Sequence, residues 1–489
     1  MALFCLLYPS RFLAHCFQPV SCLNNRLSLG EIERKLMERI ANGLAGFPAP
    51  KIGREDNRWY CLAPLLLDTE ELDGDKEQKS FVSDWLDQEE GKALGNDVTQ
   101  KALARHLQEL RRLYEQAVIE QGTFPLGRRP DDLLSVLSDM ALASPAVCFS
   151  RTFQAYGVDG ENIDGFLCSR AAQVFLNRMN TTEATAVVEL VCGRSEDAHW
   201  KNLLTYCKQG NLQAVLDEYA FLLSNNLDSS SHRVEHLARA MQEGLSLQSA
   251  SYTADTYPAF CKRMKRESEN TTAKKNGISM RTHFAVAFTE GDGQEKNVNR
   301  KTAVRNAFNS PFQPFVLATT SIGQEGLDFH NYCRRIVHWN LPSNPIDLEQ
   351  REGRIQRFAC LAIRQNLVRR YGTQTFQEES VWQEMFRRAE QAEKENGSSD
   401  LIPYWGLREK ADDLVPIERI VPMYPFSKDG LVYERMMKIL SLYRLTLGQS
   451  RQEELLEYLF SHAECPEQFR KLFMNLSPFY RQKERQKTD

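Results

Sequence analysis

The stretch of sequence that decides the fold is ATTSIGQEGLDFHNYCRRIVHWNLPSNPIDLEQREGRIQR, residues 318–357. It begins inside a short apolar run, 315–319, and continues into a glycine-containing loop, 321–329. A second apolar run, 335–339, leads through Asn and Pro residues into a helical pattern at 344–357. Short apolar runs that alternate with helical patterns are typical of a parallel α/β layer.

The same alternation extends upstream of this stretch. Residues 282–288 have the pattern of another strand, and residues 299–308 have that of the helix after it. Each predicted strand is short, largely apolar and ended by Gly, Asn or Pro. We therefore predict an α/β fold with a parallel sheet for this part of the chain.

The loop at 321–329 lies where α/β folds place ligands, after the carboxyl end of a parallel strand. Gly323 and Gly326 permit a phosphate or ribose to approach the backbone closely. Asp328 adds a carboxylate to the same loop. The residue types therefore predict a site for a phosphorylated ligand.

The helical pattern that follows carries two arginines. Gln350, Arg354 and Arg357 are spaced at i, i+4 and i+7, which predicts that they share one helix face. Two guanidiniums one turn apart suit a polyanion such as a triphosphate, because arginine binds phosphate oxygens through a rigid fork of donors. A solvated face of a charged helix is the alternative interpretation.

Three linked blocks of this stretch closely resemble motifs V and VI of superfamily-two helicases of the Swi/Snf-like type. TTSIGQEGLDFH, residues 319–330, fits the loop pattern T/S-x-x-G-x-E-G-L-D, and QREGRIQR, residues 350–357, fits the arginine-finger pattern Q-x-x-G-R-x-x-R. WNLPSNPIDLEQREGR, residues 339–354, matches the segment that joins them. The resemblance covers about 280–360 and implies the second RecA-like lobe of such a helicase, with extensive α-helical accessory regions around it.

The resemblance implies a role for each matching residue. Arg354 and Arg357 would reach the γ-phosphate of ATP bound with Mg²⁺ mainly on another lobe, and would stabilise the transition-state charge. Gln350 would hold the site together. Contacts to the nucleotide are implied for Gly323, Gly326 and Asp328, and hydrogen bonds to a nucleic-acid backbone phosphate for Thr319, Thr320 and Ser321. No protein metal ligand is implied.

The sequence departs from the family in two respects. The Gly-Gln that usually follows the last arginine is Phe358-Ala359 here, which weakens assignment to a strict remodeller subclass. The chain also has no phosphate-binding P-loop of the form G-x-x-x-x-G-K-[ST]. The superficial D-E-x-x match at Asp217-Glu218 lies inside a helical apolar pattern and follows no P-loop, so we interpret it as a chance match.

Length and composition limit the alternatives. The chain has 489 residues, and its 61 basic and 65 acidic residues give a net charge of -4, which excludes a simple polycation that binds nucleic acid by bulk charge. Its 12 cysteines are scattered, with no C-x-x-C pair, as expected of reduced core thiols in a cytoplasmic protein. No stretch approaches the roughly 20 apolar residues that cross a membrane.

Helical patterns dominate the rest of the chain, notably at 30–45, 101–119 and 165–245. We predict four regions, which are a mostly helical accessory region at 1–150, a helical insertion or start of the motor lobe at 151–279, the RecA-like lobe at 280–375 and a helical extension at 376–489.

Two functional hypotheses follow. The first is the C-terminal motor lobe of an ATP-dependent helicase or translocase, which acts on nucleic acid, with double-stranded DNA favoured. It would work with a P-loop lobe encoded upstream in the same gene product or carried by a separate subunit. The second is a non-catalytic nucleic-acid-binding or assembly subunit that keeps a helicase-like lobe as scaffold. We expect no membrane partner for either.

Overall fold

A computed structural model of the chain contains two compact units. The described residues are 4–70, 76–92, 98–119, 126–157, 163–192, 198–225, 232–246, 250–254, 257, 278–282, 302–312, 314–319, 328–377, 380–395, 399–408, 414–443, 454–455, 458 and 461. The first unit comprises Met1–Leu247 and Thr375–Trp382, and the second comprises Gln248–Gln374 and Gln383–Asp489. The four predicted regions stay predictions beside this division into two units.

The described part of the first unit is built from helices. Their bounds are α1 Phe4–Leu7, α2 Arg11–Cys16, α3 Pro19–Asn24, α4 Leu29–Gly43, α5 Trp59–Glu70, α6 Lys76–Lys92, α7 Val98–Ile119, α8 Leu133–Ala143, α9 Pro145–Gln154, α10 Gly165–Met179, α11 Thr182–Cys192, α12 His199–Gln209, α13 Leu212–Ser224 and α14 Arg233–Leu245. These bounds confirm the helices predicted at 30–45 and 101–119 and the helical character of 165–245.

Local sequence explains where these helices begin and which face they bury. At the start of α4, the Ser28 hydroxyl accepts a hydrogen bond from the Glu31 amide, and the Glu31 carboxylate accepts one from the Ser28 amide. This reciprocal capping satisfies two amides that have no partner within the helix. One turn apart on the same helix, Leu36 and Ile40 are buried, as the helical period requires.

A buried carboxylate links α5 to the start of α2 and to the chain just before it. Asp68, in α5, is 3% exposed and accepts hydrogen bonds from the Tyr8 hydroxyl (2.5 Å), the Ser10 hydroxyl (2.9 Å) and the Phe12 amide (2.8 Å). Burial raises the pKa of Asp68 to about 6, although the donors act in the opposite direction. Since Ser10 and Phe12 lie at the start of α2, one side chain satisfies polar groups of two neighbouring segments.

The helices α8 and α9 form a bent pair of largely apolar helices. Among the described helices, no single one is both long and apolar enough to cross a bilayer. Only α8 and α9 taken together reach that length and composition, and the pair bends by 42° between them. The bend coincides with Ser144 and Pro145, where proline removes a backbone donor and begins a new helix.

The second unit combines helices with short strands. Its described elements are β1 Ala250–Ala254, β2 Ile278–Thr282, β3 Arg335–Val337, α15 Pro345–Glu352, α16 Leu361–Tyr371, α17 Val381–Glu395, β4 Glu418–Ile420 and α18 Asp429–Tyr443, with a helical segment at 302–308. The first two residues of α17 belong to the first unit. Antiparallel pairing joins β1 and β2, and parallel pairing joins β3 and β4.

The strands differ in part from the sequence prediction. The run at 335–339 does form a strand, β3, but its parallel partner β4 lies in the region predicted to be a helical extension. The prediction of a buried strand at 315–319 is wrong. Phe315 and Val316 are 75% and 81% exposed, and no ladder pairs this run with another described strand. Of the strand predicted at 282–288, the structure describes only Thr282, the last residue of β2.

Candidate functional site

The structure places Asp328, from the predicted ligand loop, against the segment 354–357 that follows α15. Gly323, Gly326, Thr320 and Ser321 lie outside the described residues, so their predicted roles stay predictions. Thr319 is exposed at the end of the extended run 314–319. Asp328, Gln350, Arg354 and Arg357 are all described, and the geometry of these four residues is the basis of the candidate site.

The end of the predicted ligand loop lies against the arginine segment. The Arg357 Nε atom is 3.1 Å from the Asp328 Oδ1 atom, and both side chains are partly exposed. The main chain pairs at the same place, because the Phe329 amide donates to the Arg354 carbonyl at 2.9 Å. The structure therefore brings together the two motifs that the sequence placed about 25 residues apart.

The helix that carries the arginine motif is shorter than the sequence predicted. The Asn344 side chain caps α15 by accepting from the Ile346 amide, and Pro345 occupies the first turn. The helix ends at Glu352, so the prediction that Gln350, Arg354 and Arg357 share one helix face is wrong. Gln350 is exposed on the last turn, while the two arginines follow in turns and irregular chain.

A small apolar cluster explains why the helix ends there. Phe308, Phe329 and Ile355 are buried together, and the rings of Phe308 and Phe329 meet edge to face at 5.7 Å. The chain after Glu352 turns so that Ile355 can reach this cluster. Burial of a branched aliphatic side chain contributes roughly 1.5–3 kcal/mol, which outweighs one more turn of exposed helix.

Glu352 is a site residue that sequence reasoning missed. Its carboxylate binds the Arg419 guanidinium through two hydrogen bonds, of 2.5 Å to Nε and 2.6 Å to Nη2, and lies 3.2 Å from the His338 Nε2 atom. His338 directly follows β3 and is buried, whereas Arg419 is in β4. One carboxylate thus ties the end of α15 to both parallel strands, two residues before Arg354.

These partners also fix the charge of Glu352. Burial acts to raise the pKa of its carboxyl group, but the hydrogen bonds from His338 and Arg419 outweigh burial and lower the pKa below its ordinary value. The same contacts raise the pKa of Arg419. Glu352 is therefore an ionised structural link at neutral pH, and its only sequence signal was its place inside QREGRIQR.

The Phe358-Ala359 departure from the family pattern has a structural counterpart. Phe358 stacks on Tyr404 at 4.7 Å, and Tyr404 stacks on Phe386 at 5.2 Å. Ala359 has φ +49°, a left-handed conformation that costs a non-glycine residue about 1 kcal/mol. Its amide donates to the Tyr404 carbonyl at 2.9 Å, so the aromatic stack and this bond hold the strained residue after Arg357.

A buried arginine also stabilises the turn that contains Ala359. Arg364, in α16, is fully buried, and its guanidinium donates to the Ala359 carbonyl at 2.8 Å and to the Asn331 carbonyl. Its position within the interior, and not at the surface, is a second feature that the sequence did not predict. Burial also lowers the pKa of nearby His330. Arg364 therefore connects the backbone just after Asp328 with the backbone just after Arg357.

The D-E-x-x match at Asp217-Glu218 belongs to the first unit. Asp217 lies within α13 and accepts hydrogen bonds of 2.8 Å from both the Thr152 hydroxyl and the Gln213 amide group. This position confirms that the match lies inside a helix and not at a strand end. Among the residues that the structure describes, no group of three or more His, Cys, Asp or Glu side chains is arranged to hold a metal ion.

Comparison with known proteins gives one match. Residues 259–359 match the family model described as the helicase conserved C-terminal domain. The matched segment contains the Asp328 loop, β3, α15 and both arginines, and it supports a helicase C-terminal lobe with a RecA-like α/β fold. No curated protein matches the chain, and no solved structure does. The match therefore supports a helicase-type function related to nucleic acid.

Proposed function

We propose that this chain supplies the C-terminal motor lobe of an ATP-dependent helicase or translocase of the superfamily-two, Swi/Snf-like type. The supporting observation is the helicase C-terminal match at 259–359, within which Arg357 lies 3.1 Å from Asp328. The lobe works with a P-loop lobe encoded upstream or carried by a separate subunit. The sequence supports this division, because it contains an arginine-finger pattern and no P-loop.

ATP and Mg²⁺ are held mainly on the P-loop lobe, where the metal neutralises phosphate charge. Arg354 and Arg357 donate to the γ-phosphate oxygens as charge develops on them, and Gln350 holds the site together. The guanidinium of Arg357 is partly exposed and bound to one carboxylate, so a phosphate can replace Asp328 as its partner at little cost. Gly323, Gly326 and Asp328 border the nucleotide.

Nucleic acid binds on the neighbouring part of the lobe. Hydroxyl groups of Thr319, Thr320 and Ser321 donate to a backbone phosphate, which positions the strand without reading its sequence. Double-stranded DNA is the favoured form. Exposure of Thr319 at the end of the extended run supports access by a large ligand.

The test is ATP hydrolysis by the full chain together with the polypeptide encoded immediately upstream, provided that this polypeptide has a P-loop. We expect negligible turnover by either one alone and stimulation by DNA when both are present. Arg354→Ala and Arg357→Ala should each lower kcat by about 10³-fold, the size of an arginine-finger loss. Gln356→Ala, an exposed residue between the two arginines, is the matched control and should behave as the wild type. Normal stimulated turnover in Arg354→Ala would contradict the proposal.

A non-catalytic binding or assembly subunit is the second candidate. It is favoured by the missing P-loop and by the ion pair that already occupies Arg357. In that case nucleic-acid or protein binding should be indifferent to ATP and to both arginine substitutions. The same set of arginine variants therefore distinguishes the two candidate functions.

A further inference from the structure

One ion pair connects the end of α15 to the parallel strands of the second unit. The Arg419 guanidinium binds both carboxylate oxygens of Glu352, at 2.5 Å and 2.6 Å. Glu352 is the last residue of α15, and Arg419 is the middle residue of β4. The same carboxylate lies 3.2 Å from the Nε2 atom of His338, which directly follows β3. We call Glu352 and Arg419 the anchor pair.

The anchor pair is held in place by a further helix. The third guanidinium nitrogen of Arg419 donates to the Tyr433 hydroxyl at 3.3 Å and lies 3.1 Å from the Met437 sulfur, and both partners are in α18. The side chains of Glu352 and Arg419 are only 20% and 26% exposed. A bond through two guanidinium nitrogens fixes an angle as well as a distance, so the anchor pair defines where α15 ends.

The main chain carries this constraint to Arg354. The Glu352 carbonyl accepts a hydrogen bond from the Ile355 amide at 3.1 Å, which closes a turn around Arg354. The Arg354 carbonyl in turn accepts from the Phe329 amide at 2.9 Å. Because one residue supplies both the anchored carboxylate and the carbonyl that closes the turn, a shift of the anchor pair displaces the Arg354 backbone.

Half of the anchor pair lies beyond the segment that matches a helicase. The family match ends at residue 359, whereas β4 and α18 belong to the region that the sequence predicted to be a helical extension. An arginine that stabilises a transition state must be placed accurately, because a displacement of about 1 Å can lower a rate by about 10²-fold. The extension therefore contains a group that controls the placement of Arg354.

We propose that Arg419 is a positioning residue for Arg354 and acts through Glu352. The inference deepens the proposed function and rests on it, because the placement of Arg354 affects turnover only if Arg354 is an arginine finger. It adds that β4 and α18 are part of the motor site. Since the anchor pair acts on the finger and not on ATP, its loss lowers kcat and leaves KM for ATP unchanged.

The first measurement is hydrogen exchange in the full chain, which requires no partner polypeptide. Arg419→Ala removes the group that fixes the Glu352 carboxylate, so the turn around Arg354 should open more often. We expect amides 353–357 to exchange about 10-fold faster than in the wild type. Exchange at the wild-type rate would show that the anchor pair does not hold this turn.

The matched control is Glu418→Ala. Glu418 precedes Arg419 in β4 and also joins the two parallel strands, through ion pairs with Arg334 and, at 2.7 Å, with Arg335. Successive side chains of a strand point to opposite faces of the sheet, so this substitution loosens the strand pair on the other face. Exchange at 353–357 and kcat should both stay as in the wild type.

The second measurement is DNA-stimulated ATP turnover together with the P-loop polypeptide. Arg419→Ala should lower kcat by about 10- to 100-fold, with KM for ATP within about twofold of the wild type. Arg419→Lys keeps the charge but loses the bond through two nitrogens, so it should recover kcat only in part. A rise in KM as large as the fall in kcat would indicate a ligand contact instead of positioning.

A double variant tests whether Arg419 acts through Glu352. If it does, Glu352→Ala combined with Arg419→Ala should have a kcat within about twofold of the more affected single variant. Effects that multiply would show that the two residues act independently. Glu352→Gln and Arg419→Lys give the same comparison if either alanine variant does not fold.

The inference and the proposed function fail in different ways. A loss of turnover in Arg354→Ala together with normal turnover in Arg419→Ala would overturn the positioning role alone. An equal loss of kcat in Glu418→Ala would also overturn it, because any loosening of the strands would then suffice. Normal turnover in Arg354→Ala would instead contradict the proposed function, and the positioning role with it.

Discussion

The two units place their carboxylates in contrasting settings. In the first unit, Asp68 is buried and accepts hydrogen bonds from neutral hydroxyl and amide groups. In the second, Asp328 is half exposed and faces the Arg357 guanidinium. A buried acceptor with neutral donors fixes one local arrangement, whereas an exposed ion pair can exchange partners. The contrast indicates which polar groups hold the fold and which remain available to a ligand.

The largest effect is expected at Asp68. Asp68→Ala leaves the Tyr8 and Ser10 hydroxyls and the Phe12 amide without their acceptor in a buried place. We expect the free energy of unfolding to fall by about 3–5 kcal/mol, because each buried unsatisfied donor costs about 1–3 kcal/mol. Urea unfolding of wild type and variant measures the difference. A change below about 1 kcal/mol would show that water replaces the carboxylate easily.

An exposed cap on the same unit is the matched control. Asp164 accepts from the Phe166 amide at 2.9 Å at the start of α10, but its side chain is open to solvent. Asp164→Ala should cost about 1 kcal/mol, the usual value for a lost helix cap. Both substitutions remove a carboxylate that binds a helix-start amide, so the gap between them measures burial together with the two hydroxyl hydrogen bonds that only Asp68 accepts.

An intermediate effect is expected at Glu352. Glu352→Gln weakens the link to His338 and Arg419, which should lower stability by about 2–3 kcal/mol at pH 7. Because the folded pKa of Glu352 is depressed, its contribution is present above the unfolded value of about 4.3 and is lost as pH falls through the lower folded value. Urea unfolding at pH 7 and at about pH 3 should therefore show the two proteins converging in acid.

The control for Glu352 is a carboxylate of the same unit without such a link. Glu434 is exposed in α18, and Glu434→Gln should change stability by less than about 0.5 kcal/mol at either pH. If the two substitutions have equal effects, the bonds to His338 and Arg419 do not stabilise the fold. Glu352 would then resemble Asp328, and not Asp68, in contributing little to the stability of the fold.

The fold was predictable where the decisive interactions are local. Leu107, Leu110 and Leu113 repeat at helical spacing and are buried along α7, and Asn344-Pro345 gives the start of α15. The end of α15 was not predictable from periodicity. The pattern of polar and charged residues continues past Glu352. The chain nevertheless turns there, so that Ile355 joins a cluster whose other members are distant in sequence.

The candidate site, too, was predictable from the sequence only in part. Its motif residues were visible because family patterns are contiguous in sequence, and the approach of Asp328 to Arg357 agrees with their shared site. The sequence showed that Glu352 lies inside the motif, but it did not predict the ion pair that Glu352 forms. Its partner Arg419 lies 67 positions later, in a strand that the sequence indicated as helical. Non-local partners of this kind have no periodic signal in a single sequence.

Of Asp68, Glu352 and Arg357, the smallest effect on stability is expected at Arg357, where the proposed function requires the largest effect on turnover. The ion pair with Asp328 joins side chains that are 38% and 50% exposed, so Arg357→Ala should cost no more than about 1 kcal/mol. A double-mutant cycle with Asp328→Ala in urea unfolding measures the coupling. A coupling above about 2 kcal/mol would make Arg357 a structural residue like Asp68 and would remove its availability to phosphate. A weak coupling leaves the guanidinium free to change partners, which is what an arginine finger needs.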